Sequence, residues 1–231
     1  MTLTLITGGN KGLGYESARR LIELGHTVYI GARDLERGKQ AAEELGARFV
    51  QLDVSDDASV TAAAAELTER EGHLDVLINN AGISDALLAP EDVTASAMQE
   101  VYDVNVYGIV RTTHAFLPLL RAALSPVIVN VSSGLGSFGV VTNPDRFESG
   151  FATVVYGSSK AAVGMLTLQY SKALSDIKIN VVDPGYTATD INGNSGHQTV
   201  TEGTDAIVRL ATIGADGPTG TFWDRHGVLP W

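Results

Sequence analysis

An apolar, β-rich run at residues 2–7 passes straight through Gly8-Gly9-Asn10-Lys11-Gly12-Leu13-Gly14 into a helical pattern. Strand, glycine turn and helix in direct succession leave few folds open, and the alternation continues along the chain. Short apolar runs recur at 27–31, 48–52, 74–78, 126–131, 178–182 and 220–223. Helical patterns separate them at 13–24, 35–45, 55–70, 94–124, 153–174 and 201–211. Continuously apolar strands divided by helices predict a mostly parallel sheet buried on both faces. The fold class is therefore α/β, Rossmann-type and doubly wound, with seven strands and helices on both sides.

Local signals set the expected boundaries. Leu13, Ala18, Leu21 and Ile22 fall on one face of the first helix, and Gly25 ends it. Ser55 is the expected N-cap of the third helix, and Pro118 is expected to kink or divide the pattern at 94–124. No linker, repeat or composition break interrupts residues 1–231, so one domain is expected. Two irregular stretches, 140–152 and 186–200, follow strand ends, where ligands bind in open α/β sheets.

Composition removes whole classes of function. Cysteine is absent, which excludes disulfides, thiolate metal sites and cysteine nucleophiles. The five histidines, His26, His73, His114, His197 and His226, show no paired-ligand spacing, so no metal site is expected. A net charge of −11 argues against a nucleic-acid partner, whose affinity comes from neutralising phosphates. There is no signal-like N-terminus and no long uncharged apolar stretch, so a cytoplasmic protein without a membrane partner is expected.

The acidic balance does not forbid a small anion held locally. The glycine turn lets a pyrophosphate approach the backbone, and N–H groups at 9–13 together with the helix dipole favour its charge. The bland alternative is a tight strand–helix connection, and the context of strand, turn and helix favours the nucleotide.

The Gly-x-x-x-Gly-x-Gly spacing resembles that of the short-chain dehydrogenase/reductase family, and the likeness continues along the whole chain. Asn79-Asn80-Ala81-Gly82 looks like the family's turn after the fourth strand. Asp53 matches its adenine-contacting acid, Asn105 its helix asparagine and Ser133 its serine after the fifth strand. Tyr156-Gly-Ser-Ser-Lys160 matches Tyr-x-x-x-Lys, and Pro184-Gly185 with Thr189 matches Pro-Gly-x-x-x-Thr. The segments 7–14 and 31–34 look most like carbonyl reductases.

The resemblance implies Asn105, Ser133, Tyr156 and Lys160 as the catalytic set. It implies a cofactor site of Gly8, Asn10, Lys11, Gly12, Leu13, Gly14, Arg33, Asp53, Val54, Asn80, Ala81, Gly82, Tyr156, Lys160, Pro184, Gly185, Thr187 and Thr189. Tyrosine is a reluctant acid at neutral pH, and an ammonium four residues along the same helix face is expected to lower its pKa. Tyr156 is then the general acid in reduction and the base in oxidation, with Ser133 on the carbonyl oxygen. Lys160 would hold the nicotinamide ribose, and Asn105 would order a water relay to it. Ser132 competes with Ser133, since adjacent strand residues face opposite ways, and the family register selects Ser133.

An acid at the end of the second strand would mark NAD; the register puts Ala32 and then Arg33 there, with Lys11 as a second cation. NADPH is expected over NADH, although a one-residue slip would bring Asp34 to the ribose. The expected activity is a carbonyl-reductase-type hydride transfer to or from a small carbonyl or secondary alcohol. An NAD-dependent alcohol or hydroxysteroid dehydrogenase and a non-catalytic NADP-sensing regulator are the alternatives. Tyr156 lies 23 positions after Ser133, farther than in many family members. The extra residues in 140–152 read equally as a surface loop or as a flap over the substrate. Many relatives pair through the helices bearing Asn105 and Tyr156, while some with this enlargement are monomeric, so a homodimer or a monomer is expected. Residues 186–197 are expected to cover the nicotinamide, and Trp223 and Trp231 read as packing, with a substrate contact as the alternative. Gly157 reads as a packing glycine beside the tyrosine.

Overall fold

Side chains along β1 (Leu3–Thr7) alternate between two buried layers, Leu3 and Leu5 to one side and Ile6 to the other. The same division runs through β2 (Thr27–Ala32), β4 (Val76–Asn79) and β5 (Val127–Val131). A strand with no solvated face must lie inside a sheet that is covered twice. The computed structural model describes residues 2–84 and 88–231.

One layer is filled by α3 (Asp57–Arg70) and α5 (Gly108–Arg121), through Val60, Leu67, Phe116 and Leu120. The other is filled by α1 (Gly12–Glu23), α2 (Leu35–Leu45) and α9 (Asp205–Ala211), through Leu21, Ala41, Ile207 and Leu210. Each fully buried aliphatic side chain contributes about 1.5–3 kcal/mol.

With β3 (Arg48–Gln51), β6 (Lys178–Val182), β7 (Phe222–Trp223) and β8 (Val228–Leu229), the strand order is β3-β2-β1-β4-β5-β6-β7-β8. Seven strands run parallel and β8 returns antiparallel to β7, so the sheet has eight strands where the sequence suggested seven. A two-residue return strand carries too little pattern to be read locally. Between β1 and β4 the order reverses, which opens a crevice beyond their carboxyl ends.

Three local expectations are corrected. Ser55 does not cap α3: its hydroxyl donates to Asp53 Oδ1 at 2.6 Å, and Asp56 caps instead, accepting from the Ala58 N–H. Pro118 does not divide its helix, which continues to Arg121 because the proline sits in the last turn, flanked by buried Phe116, Leu119 and Leu120. The division comes earlier, where α4 (Ala95–Tyr102) meets α5 through a π-helical segment, Asp103–Tyr107. The pattern at 201–211 is likewise two helices, α8 (Val200–Gly203) and α9.

A chain of buried amides and hydroxyls crosses the sheet beneath the crevice. Thr112 Oγ1 donates to Asn79 Oδ1 at 2.8 Å, Asn79 Nδ2 to Asn130 Oδ1 at 2.9 Å, and Asn130 Nδ2 to Thr167 Oγ1 at 2.9 Å. It ties β4 and β5 to α5 and to α7 (Val154–Ala173), the helix that follows the short α6 (Phe138–Val141). Asn130→Ala strands the Asn79 amide and leaves a cavity, so a loss of about 2–4 kcal/mol is expected in urea unfolding. A change below about 0.5 kcal/mol, the range of an ordinary surface substitution, would show that the chain is dispensable.

Candidate active site

The glycine turn sits at the reversal of strand order. Gly8 and Gly12 have φ of +64° and +56°, the left-handed region that glycine enters without penalty. An added Cβ at Gly14 would lie 2.5 Å from the Gly8 carbonyl oxygen, so only glycine lets α1 start this close to β1. The Gly9 N–H, expected to face a phosphate, instead donates to the Gly31 carbonyl at 3.1 Å and ties the turn to β2. The first N–H groups of α1 have no intrahelical acceptor and keep the anion-binding character of a helix start.

Beside the turn lies a cleft of about 480 Å³, lined by Gly8, Asn10, Lys11, Gly12, Leu13, Ala32, Arg33, Asp53, Val54, Asn80, Ala81, Gly82 and Thr189, among others. An elongated group with an anionic middle fits the glycine cradle at its wall. Asn80 acts on the turn itself, donating to the Thr7 and Gly8 carbonyls at 2.9 and 3.1 Å. Lys11 ion-pairs with Asp190 at 2.8 Å and latches the turn to the 186–200 stretch, an engagement absent from the sequence reading. Arg33 is exposed on the cleft wall. Asp34 turns away and caps α2 by accepting from the Arg37 N–H at 3.0 Å. Burial opposes ionisation of Asp53, but hydrogen bonds from Ser55 and the charges of Arg33 and Arg111 outweigh it and hold its pKa low.

A second cavity of about 440 Å³ shares Leu13, Asn80, Gly82, Ser84, Thr189 and Ile191 with the first, so the two are continuous. Ser133, Tyr156, Lys160, Pro184, Gly185 and Thr187 line it, which brings the remaining expected site residues together apart from Asn105 and Gly14. Ser133 and Tyr156 line this cavity together, whereas the Ser132 hydroxyl donates to the Lys160 carbonyl at 2.9 Å. Thr187 Oγ1 donates to the Pro184 carbonyl at 2.9 Å and shapes the cavity edge. The π-helical segment carries Asn105 to the Gly82 turn, where its amide accepts from Ile83 N–H at 2.8 Å and donates to Ile83 O at 2.9 Å. A Cβ on Gly82 would meet Asn105 Oδ1 at 3.3 Å and Lys160 Nζ at 3.4 Å, so these groups converge. Gly157 packs as expected, since a Cβ there would lie 3.2 Å from the Leu135 carbonyl.

The electrostatics differ from the sequence expectation. Lys160 is 4% exposed, and Nζ donates to the Val131 carbonyl at 3.0 Å and stands 5.6 Å from the centre of the Tyr156 ring. Burial brings the Lys160 pKa down to about 8. The Tyr156 phenol is pushed up, not down: burial is the main cause, the Asp183 carboxylate adds to it, and the Ser133 hydrogen bond opposes both. Burial disfavours the charged phenolate, because the anion loses its water.

The 140–152 stretch is more than a surface loop. Its 3-10 turn, Phe147–Gly150, brings Phe147 and Glu148 into the cavity wall with Phe151. Phe147 contacts the rings of Phe151 and Tyr186 at centroid distances of 4.7 and 5.7 Å. Tyr186, Ile191, Asn192 and Ser195 close the other side. Trp223 and Trp231 line neither cavity; Trp223 donates to Thr221 Oγ1, and Trp231 stacks near Phe222. Among the described residues no group of three or more His, Cys, Asp or Glu is placed to hold a metal ion, and no helix is long and apolar enough to cross a membrane.

The family model for short chain dehydrogenase matches residues 2–199. The chain belongs to this family. This short-chain dehydrogenase is similar to (+)-neomenthol dehydrogenase of Capsicum annuum, with 30% identity over 97% of this chain and 96% of the relative. It is also similar to salutaridine reductase of Papaver bracteatum, with 31% identity over 97% and 94%. Its fold matches that of the NADPH-bound carbonyl reductase from chicken fatty liver, with a TM-score of 0.87 and 30% identity over 100% of both chains. It is an enzyme of the short-chain dehydrogenase oxidoreductase family.

Proposed function

We propose that this chain is an NADPH-dependent carbonyl reductase in which Tyr156 delivers the proton. The observation that carries this reading is the continuity of the two cavities at Gly82, with Tyr156, Ser133 and Lys160 on the wall of the second. The residues of the first cleft that would hold the dinucleotide are the glycine turn, Asp53, Val54 and the 80–82 turn. When bound, the nicotinamide supplies hydride to the carbonyl carbon or accepts it from an alcohol.

The chain's own groups handle the proton and the charge. Tyr156 Oη donates to the carbonyl oxygen as negative charge develops there, and Ser133 Oγ donates a second hydrogen bond to the same oxygen. Lys160 holds ribose hydroxyls and keeps a positive charge near the phenol, while Asn105 fixes the backbone of the Gly82 turn between the two cavities. In the oxidative direction Tyr156 takes the proton back.

The residues that end β2 support NADPH. Ala32 and Arg33 occupy the cleft wall there, and the Asp34 carboxylate is spent on the α2 cap. The NADPH-bound carbonyl reductase neighbour points the same way. Arg33→Asp is expected to lower the NADPH/NADH ratio of kcat/KM by about tenfold or more, since it replaces a phosphate partner with a repelling charge. An unchanged ratio would sink the NADPH assignment. The reading as a whole is tested by a panel of ketones and aldehydes assayed by loss of NADPH absorbance, with NADH in parallel. Turnover of no carbonyl at any pH would overturn it.

A further inference from the structure

Four large apolar side chains line the cavity that holds Tyr156 and are not buried by the protein itself. Phe147, Phe151, Tyr186 and Ile191 are between 37% and 58% exposed. All four come from the two irregular stretches, 140–152 and 186–200. Apolar surface gathered at one cavity and left in water marks a place where an apolar ligand binds.

Ring contacts join the two stretches. Phe147 lies 4.7 Å from Phe151, 5.7 Å from Tyr186 and 6.5 Å from His197 between ring centroids. Tyr186 Oη lies 2.5 Å from Ser195 Oγ, which holds that ring on its own stretch. A ligand ring extends such a cluster by stacking or edge contact and needs no polar partner there. The same turn reaches the reacting end. A Cβ on Gly134, the residue after Ser133, would lie 2.8 Å from Glu148 Oε1, and Phe147 is the neighbour of Glu148 along the chain. At about 440 Å³ the cavity has room for a ring system beside a carbonyl held at Ser133 and Tyr156.

Charge narrows the choice further. The Gly134 Cβ position is also 2.9 Å from Asp183 Oδ2, so two carboxylates share this wall. Arg146 pairs with Glu148 at 3.1 Å, and among the described residues no cation pairs with Asp183. Among the described residues Lys160 is the one cation of the lining, and its Nζ donates to the Val131 carbonyl at 3.0 Å. An anionic substrate would face like charge here without a free partner.

We propose that the substrate is an uncharged ketone carrying a bulky apolar ring system, with Phe147 and Tyr186 as the residues that select it. The proposal rests on the reading of this cavity as the carbonyl site. Small polar ketones leave the rings in water, and keto acids meet Asp183 and Glu148.

The enzyme is assayed with NADPH on butanone, cyclohexanone and tetralone, and on a tetralone bearing a carboxylate. kcat/KM is expected to rise about tenfold or more from butanone to tetralone, mainly through KM, and to fall about tenfold or more with the carboxylate. Phe147→Ala is expected to lower the tetralone-to-butanone ratio by about 10–100-fold, and Phe147→Leu by less. Tyr186→Ala repeats the test from the other stretch. Glu148→Gln is expected to narrow the preference for the neutral tetralone, which selection by size alone would not do. Calorimetric titration of the tetralone's alcohol into protein with NADP⁺ reads the same preferences without turnover.

A flat or inverted size series would overturn the proposal, as would a ratio that both alanine variants leave in place. Reduction of butanone or the carboxylated ketone alone would also overturn it, and the reductase reading would stand. Binding of the alcohol without reduction of any carbonyl would leave the ligand class standing and defeat the reductase reading. Neither binding nor turnover would defeat both.

Discussion

Tyr156→Phe is expected to lower kcat for carbonyl reduction by about 10²–10⁴-fold while NADPH affinity changes less than about threefold, because the lost oxygen is a proton donor and not a wall of the cleft. The ring stays, and with it the contact between Lys160 and the aromatic face. Ser133 keeps its bond from the Leu135 N–H at 3.2 Å, so its loop has no reason to move. Single-turnover absorbance measures the chemical step, and fluorescence titration measures the cofactor. A rate within tenfold of the wild type would place the proton elsewhere. Loss of binding and rate together would show that the substitution had damaged the site.

A large effect on the fold is also expected from Gly136→Ala. The turn Gly134–Gly136 lies against the backbone of α7, and a Cβ on Gly136 would stand 2.7 Å from both the Ala161 nitrogen and the Lys160 carbonyl oxygen. Neither atom belongs to a side chain that can rotate away, so the turn itself must retreat from α7. The Ser132 hydroxyl donates to the same Lys160 carbonyl and would be strained by the retreat. Overpacking against fixed backbone costs about 1–3 kcal/mol or more, and a value near the upper end is expected in urea unfolding. Ser133 begins the same turn, so a displacement of about 1 Å is expected to lower kcat by about 10²-fold as well. Gly150→Ala is the comparison, since a Cβ there meets nothing within 4 Å and unfolding should shift by less than about 0.5 kcal/mol. Equal stability of the two variants would refute the steric account.

How far the sequence reaches is clear from particular residues. The sheet is legible because its central strands, β1, β4 and β5, are buried along their whole length and leave largely apolar runs. The glycine turn and the Tyr156–Lys160 pair are legible because their geometry is local, set by backbone freedom and by the pitch of one helix. Ser55 and Asp56 were not separable as caps, because the outcome turned on whether Asp53 claimed the Ser55 hydroxyl. The π-helical segment was not legible either. Its residues read as ordinary helix, and the wider turn that carries Asn105 to Ile83 exists only where α4 and α5 pack on the Gly82 turn. Gly136 carried no signal at all, since nothing in its own neighbourhood along the chain announces α7.

From the sequence alone came the parallel sheet, the place of the cradle on it and the identities of the residues that meet there. These depend on periodicity, turn chemistry and short spacings, which act between neighbours along the chain. The tertiary structure decided the rest: that the Ser132 hydroxyl turns to the Lys160 carbonyl, that Lys11 is engaged by Asp190, and that the Phe147–Gly150 turn walls the cavity. It also reversed the expected effect on the phenol. Lys160 is four residues away on the same helix, yet burial, which arises from chain segments far apart in sequence, is the main influence on the Tyr156 phenol and pushes its pKa up.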